Sequence, residues 1–120
     1  MIRALMLVAG LLVATAAQAM KGAEFAQLLD AWQRVQARKG PVSREDELLA
    51  ATFTGYVRGV EDSMNGVRFC IPAEATSAQQ VAWIAKYVKA HPEEYHNGAT
   101  TFIVQGLQPA YPCAATSGTE

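Results

Sequence analysis

His91-Pro92-Glu93-Glu94-Tyr95-His96 brings two imidazoles and two carboxylates into one short stretch, and these are donor types that hold zinc. A helical zinc site of the protease kind needs its histidines four apart on one face, with a glutamate beside the first. Here they are five apart and a proline follows the first, so a helix would turn them in different directions. A turn could still bring the rings together. The plainer reading is structural: Pro92 suits the first position of a short helical turn. Glu93 and Glu94 then place negative charge where unpaired backbone N–H groups favour it. No metal and no cofactor is assigned.

The acid pairs Glu61/Asp62 and Glu93/Glu94 are sequence neighbours. On a helix such neighbours point about 100° apart, a poor arrangement for paired acid–base work. No Gly-x-Ser-x-Gly nucleophile turn, phosphate-cradling glycine loop or recognised cysteine–histidine signature occurs. These absences lower the case for catalysis without excluding it. The expectation is a protein that is not an enzyme, with no catalytic residue.

The compartment follows from the beginning of the chain. Arg3 supplies a positive charge, Ala4 to Ala14 is apolar, and Ala17-Gln18-Ala19 has the small-x-small pattern of a cleavage site. The apolar core falls short of the roughly 20 residues a membrane helix needs. Residues 1–19 therefore read as a cleavable signal peptide, and the location as the periplasm. In that setting Cys70 and Cys113 read as one disulfide. Two separate reactive thiols are the alternative, though neither lies in a Cys-x-x-Cys motif. With ten basic against eleven acidic residues and no block of like charge, neither nucleic acid nor a membrane surface is favoured as a partner.

Four helical stretches would position these residues. Ala23 to Arg38 carries Phe25, Leu28, Leu29, Trp32 and Val35 at helical spacing, and Gly40-Pro41 stops it. Ser43 caps a second helix with Asp46 at its third position; its stripe is Leu49, Phe53, Tyr56, Val60 and Met64, and Asn65-Gly66 ends it. Gly55-Tyr56-Val57-Arg58-Gly59 lies inside that helix. Each glycine there costs about 1 kcal/mol, so Gly55 and Gly59 read as positions where another helix approaches closely. Val67 to Ala75 reads as extended, with Pro72 blocking a helix.

Thr76 and Gln79 form a capping box for a third helix, lined inside by Val81, Ile84, Ala85 and Val88 and closed by His91-Pro92. Asn97 could cap a fourth from Gly98 to about Gln108, with Ala99, Phe102, Ile103 and Leu107 on one side. Thr100 to Val104 also reads as a strand, but a lone strand would have no partner in this chain, so the helix is favoured. Tyr111-Pro112-Cys113 ends the ordered part, and residues 114–120 read as a flexible tail. The expected fold is all-α, a single small domain of about four helices with one disulfide, spanning residues 20–113.

Gly55-Tyr56-Val57-Arg58-Gly59, Phe69-Cys70-Ile71-Pro72, the stretch from Tyr87 through His91-Pro92-Glu93 to His96, and Tyr111-Pro112-Cys113 together resemble the Rap/Tai family of periplasmic immunity proteins. The likeness covers about Phe25 to Cys113. It implies an all-α fold, the Cys70–Cys113 bridge, and a partner that is a peptidoglycan amidase delivered by type VI secretion. It also implies, for some members, a homodimer that pushes a loop into the amidase cleft. Pro72–Thr76 and Ala90–Gly98 are the candidate loops. On this resemblance His91 and His96 satisfy hydrogen bonds at a helix junction, and Gly55, Tyr56, Gly59, Pro72, Pro92 and Pro112 are scaffold. Many relatives carry a second cysteine pair; here the second of its positions is Phe53 and residues 23–38 hold no cysteine. Packing of Phe53 against Trp32 is the expected replacement. The alternative function is a small periplasmic stress or chaperone-like helper without a toxin partner.

Overall fold

The computed structural model describes residues 19–114. The signal peptide expected at 1–19 and the tail expected at 114–120 lie outside that range except for Ala19 and Ala114. Within it are four helices, α1 (Gly22–Gln36), α2 (Arg44–Met64), α3 (Ser77–Ala90) and α4 (Ala99–Ala110), with a 3-10 turn at Pro92–Glu94 between the last two. Among the described residues no helix is long and apolar enough to cross a membrane. The fold is all-α with one disulfide, as the periodicity and the cysteine pair imply.

The first two helices pair through rings. Phe25 stacks on Phe53 with centroids 4.8 Å apart, Trp32 lies 5.6 Å from Phe53, and Tyr56 lies 5.7 Å from Phe25. Phe25 and Phe53 are fully buried. Phe53 is therefore packed against Trp32 as expected and against Phe25 as well. Ser43 caps α2 by accepting from the Asp46 amide at 3.1 Å. Arg34 grips the Asp46 carboxylate through two bonds of 2.9 and 2.8 Å, joining the end of α1 to the start of α2. That guanidinium holds the Asp46 carboxyl below its ordinary value.

The buried line of α2 is Ala50, Phe53, Val57, Val60 and Glu61, with Leu49, Tyr56 and Met64 only half-buried at its edge. The stripe read from sequence is thus rotated by about one residue, because α2 packs on more than one neighbour. Beyond it, the expected extended segment begins as a turn. Gly66 adopts φ +87°, the left-handed region open to glycine, and Gly66 N–H donates to the Phe69 carbonyl at 2.7 Å. Val67 consequently stands in solvent while Phe69 is fully buried.

The start of α1 has no side-chain cap. Its orphan donors are met by backbone instead: Gly22 N–H donates to the Asn97 carbonyl at 2.7 Å and Ala23 N–H to the Tyr95 carbonyl at 3.0 Å. In return Ala99 N–H donates to the Met20 carbonyl at 2.8 Å. Asn97 therefore serves through its carbonyl, and Gly98, not Asn97, is the N-cap of α4. A Cβ on Gly22 would sit 3.0 Å from Tyr95 backbone atoms, so glycine is required where these two chain segments touch. Helix α4 runs past the expected end at Gln108, through Pro109 to Ala110.

Close helix contact occurs at a glycine other than the expected pair. Gly55 and Gly59 are exposed, and a Cβ on either would meet nothing within 4 Å. They are not helix-contact positions within this chain; they lie on the solvent side of α2, roughly opposite its buried line. Gly106 is the contact. A Cβ there would lie 2.9 Å from Ile84 Cδ1 and from Tyr87 Cδ1, because α3 and α4 cross at that point. Gly106→Ala is expected to lower stability by about 1–3 kcal/mol through overpacking. Gly55→Ala and Gly59→Ala should each raise it by up to about 1 kcal/mol. Urea denaturation of the three variants checks this, and a reversed order would contradict the assignment.

Candidate functional site

The histidine–carboxylate stretch is a junction. His91 Nδ1 lies 2.7 Å from the Tyr87 carbonyl and its ring stacks on Tyr87 at 4.1 Å. His96 Nδ1 lies 3.0 Å from the Glu93 carbonyl. Pro92 opens the 3-10 turn as its first residue, with Glu93 and Glu94 following. Nδ1 of each imidazole thus faces a backbone carbonyl at the junction of α3 and α4. Among the described residues no three His, Cys, Asp or Glu side chains come together in a way that could hold a metal ion.

Cys70 and Cys113 are bonded, with Cα atoms 4.7 Å apart across 43 residues of sequence. Cys70 N–H donates to the Tyr111 carbonyl at 2.8 Å, and Gln108 Nε2 donates to the Arg68 carbonyl at 3.1 Å. The end of α4 is therefore laced to the segment leaving α2. Pro112 is exposed between Tyr111 and the bridge. Tyr56 makes a further tie, its hydroxyl 3.1 Å from Thr100 Oγ1 on α4.

The bridge fixes one end of the loop Ile71–Thr76, and the capping box at Thr76 and Gln79 fixes the other. Beside that loop is an open groove of 550 Å³ lined by Pro72, Glu74, Ala75, Gln79, Trp83, Ala110 and Tyr111. Trp83 keeps 38 % of its surface exposed, yet its indole N–H donates to the Gly106 carbonyl at 2.7 Å. A large ring held rigid and half in water is the kind of side chain that anchors protein contacts. Trp83 stands beside the inner face of α3 that Val81, Ile84, Ala85 and Val88 form, and the sequence stripe does not single it out. The carbonyl it uses belongs to Gly106, the glycine at the α3–α4 crossing.

On the other side of the same loop, Glu61 of α2 meets Gln80 of α3. Each is only 6 % exposed. The Gln80 amide lies 2.6 Å from Glu61 Oε2 and 3.0 Å from Oε1. Burial pushes the Glu61 carboxyl up to about 7, against which nearby Arg58 pulls down and Asp62 pushes up. Adjacency pairs Glu61 with Asp62 in the sequence, but the fold separates them. Asp62 is indeed exposed; the extra 100° of helical turn puts Glu61 in the seam.

The sequence profile of the Rap1a immunity proteins matches residues 21–113. This chain belongs to the Rap1a immunity protein family. A comparison with individually curated proteins found no match. Membership implies an immunity role exercised on a cognate effector, so the site to seek on a Rap1a immunity protein is a binding surface. The groove and loop beside Trp83 are open, partly apolar and rigidly framed.

The buried carboxyl gives this Rap1a protein a pH signature. Glu61 holds its proton more tightly folded than unfolded, so its contribution is fully present below about 4.5 and is lost as pH rises through about 7. Glu61→Gln, which stays neutral, should therefore match the parent near the acid end and exceed it in stability at about pH 8. Urea unfolding at both pH values reads this. Parallel stability–pH curves for the two proteins would contradict the assignment of Glu61.

Proposed function

We propose that this chain is a periplasmic immunity protein that binds and inhibits a peptidoglycan amidase delivered by type VI secretion. The observation that carries the reading is membership of the Rap1a immunity proteins across residues 21–113. The amidase, the secretion route and export rest on the motif resemblance and on the signal pattern of residues 1–19. The protein acts by occlusion, not by catalysis. Its candidate chemical groups serve the scaffold: Nδ1 of each histidine bonds a backbone carbonyl and both cysteines close one bridge.

The surface assigned to the effector is the Pro72–Thr76 loop with the Trp83 groove. The other candidate, Ala90–Gly98, is occupied in holding the fold together, since the Tyr95 and Asn97 carbonyls cap α1. By contrast Pro72, Ala73 and Glu74 are exposed. A loop displayed on a fixed frame suits recognition. Self-association belongs to the same proposal, and the uncharged exposed positions Gly55 and Gly59 of α2 are compatible with it.

Co-purification with a candidate amidase encoded beside this gene, together with rescue of the lysis it causes, tests the function. Failure of both would remove that pair. Within such a complex Trp83→Ala should weaken binding by about thirtyfold, the loss expected of an anchoring aromatic. Leu48→Ala, an exposed position on the first turns of α2, should leave affinity unchanged. Titration calorimetry on variants of verified fold distinguishes the two, and an unaffected Trp83→Ala complex would move the interface elsewhere.

A further inference from the structure

Glu61 and Gln80 form a buried polar seam between α2 and α3, in which the Gln80 amide is the group in hydrogen-bond reach of the carboxylate. The charged groups facing it are Arg58 and Asp62, both from α2 itself and opposed in sign. From α3 come Ser77 and Gln80, and from the connecting segment Asn65, Ile71 and Ala75, none of them charged. A carboxyl so placed is governed by the one amide that touches it.

That amide has two unlike ends, and each fits only one state of Glu61. With its nitrogen toward Glu61 it donates to an ionised carboxylate, but its oxygen then faces the Ala75 carbonyl, acceptor against acceptor. With its oxygen toward Glu61 it accepts the O–H of a neutral carboxyl, and its nitrogen donates to the Ala75 carbonyl at 3.3 Å. The 2.6 Å approach to Oε2 is the usual span of an O–H···O bond and short for an N–H···O bond. We propose that Gln80 is a protonation-linked latch, turned by Glu61, that holds or releases the Ala75 carbonyl in the loop leading into α3. When Glu61 gives its proton to solvent the amide turns over and the loop loses that tie.

The consequence is local because both ends of the loop are fixed independently, by the bridge at Cys70 and by the Thr76 capping box. What remains at Ala75 is its own N–H bond to the Pro72 carbonyl at 3.1 Å, closing a turn that the latch no longer braces. The device thus sets the order of the Pro72–Ala75 turn by ambient pH. It operates in the free chain, so its test stands apart from the identity of any effector.

The experiment is a pH titration of the isotopically labelled mature chain by NMR. It follows Glu61 Cδ, the Gln80 side-chain amide, and hydrogen exchange at the Ala75 amide. Glu61 and the Gln80 amide are expected to move together with a midpoint near 7. Above it, Ala75 should exchange about threefold to tenfold faster than in Glu61→Gln at the same pH, the loss of one net hydrogen bond. Gln80→Met, which keeps the length but not the amide, should hold Ala75 at the faster level at every pH. Gln80 resonances that ignore the Glu61 titration, or a pH step at Ala75 that survives in Gln80→Met, would overturn the latch.

Discussion

The Cys70–Cys113 bridge is the constraint on which the rest of the molecule hangs. It closes 43 residues of chain, so most of its effect lies in the unfolded state, where loop closure removes conformations worth roughly 4 kcal/mol. Against the total of about 5–15 kcal/mol expected of a domain this size, from about a quarter to about four-fifths of the stability passes through one bond. In the folded state the same bond brings the end of α4 against the segment leaving α2. The Cys70–Tyr111 and Gln108–Arg68 hydrogen bonds then set the register of that contact. The exposed Ile71–Thr76 loop emerges directly from this clamp, and its far end is stopped by the capping box of α3. The most exposed part of this connection is therefore adjacent in the chain to its covalent restraint.

The other half of the molecule has no covalent tie. Phe25, Trp32 and Phe53 fill the α1–α2 contact with rings, and the Arg34–Asp46 pair closes its open end at a largely exposed position where such a pair contributes little. The two halves meet at the beginning of α1, where carbonyls of the Tyr95–Asn97 turn replace a helix cap. Because Gly22 has no side chain, that meeting is tight enough for backbone to bond backbone. The His91–His96 stretch, which looks like chemistry in sequence, is the hinge-piece of this arrangement. Nδ1 of each imidazole and the Tyr95 and Asn97 carbonyls go into building the junction.

How much of this could be read beforehand depended on whether the cause was local. The helix at Ser43 announces itself through a capping oxygen three residues before the amide it accepts, and Thr76/Gln79 does the same for α3. The disulfide follows from compartment and count, and the family from the order of four short motifs. Gly55 and Gly59 misled because a glycine pair states only that side chains are missing, not that anything fills the space. Gly106 was overlooked for the converse reason: the Ile84 and Tyr87 side chains that need its room lie about twenty residues away in sequence. Glu61 and Gln80 were hidden by the same distance. Neither residue type predicts burial, and only the crossing of α2 and α3 puts them together.

If a single bridge carries the frame, its removal should be felt by the whole molecule and not only by the nearby loop. The direct measurement is equilibrium urea unfolding of the mature protein beside a Cys70→Ser/Cys113→Ser variant, followed by both helical content and Trp fluorescence. A cooperative transition shifted down by about 4 kcal/mol in the variant is expected, since the unfolded chain regains the freedom of the closed loop. Coincident unfolding midpoints for the two proteins would contradict the account, and would leave the packing of the four helices to hold the frame unaided.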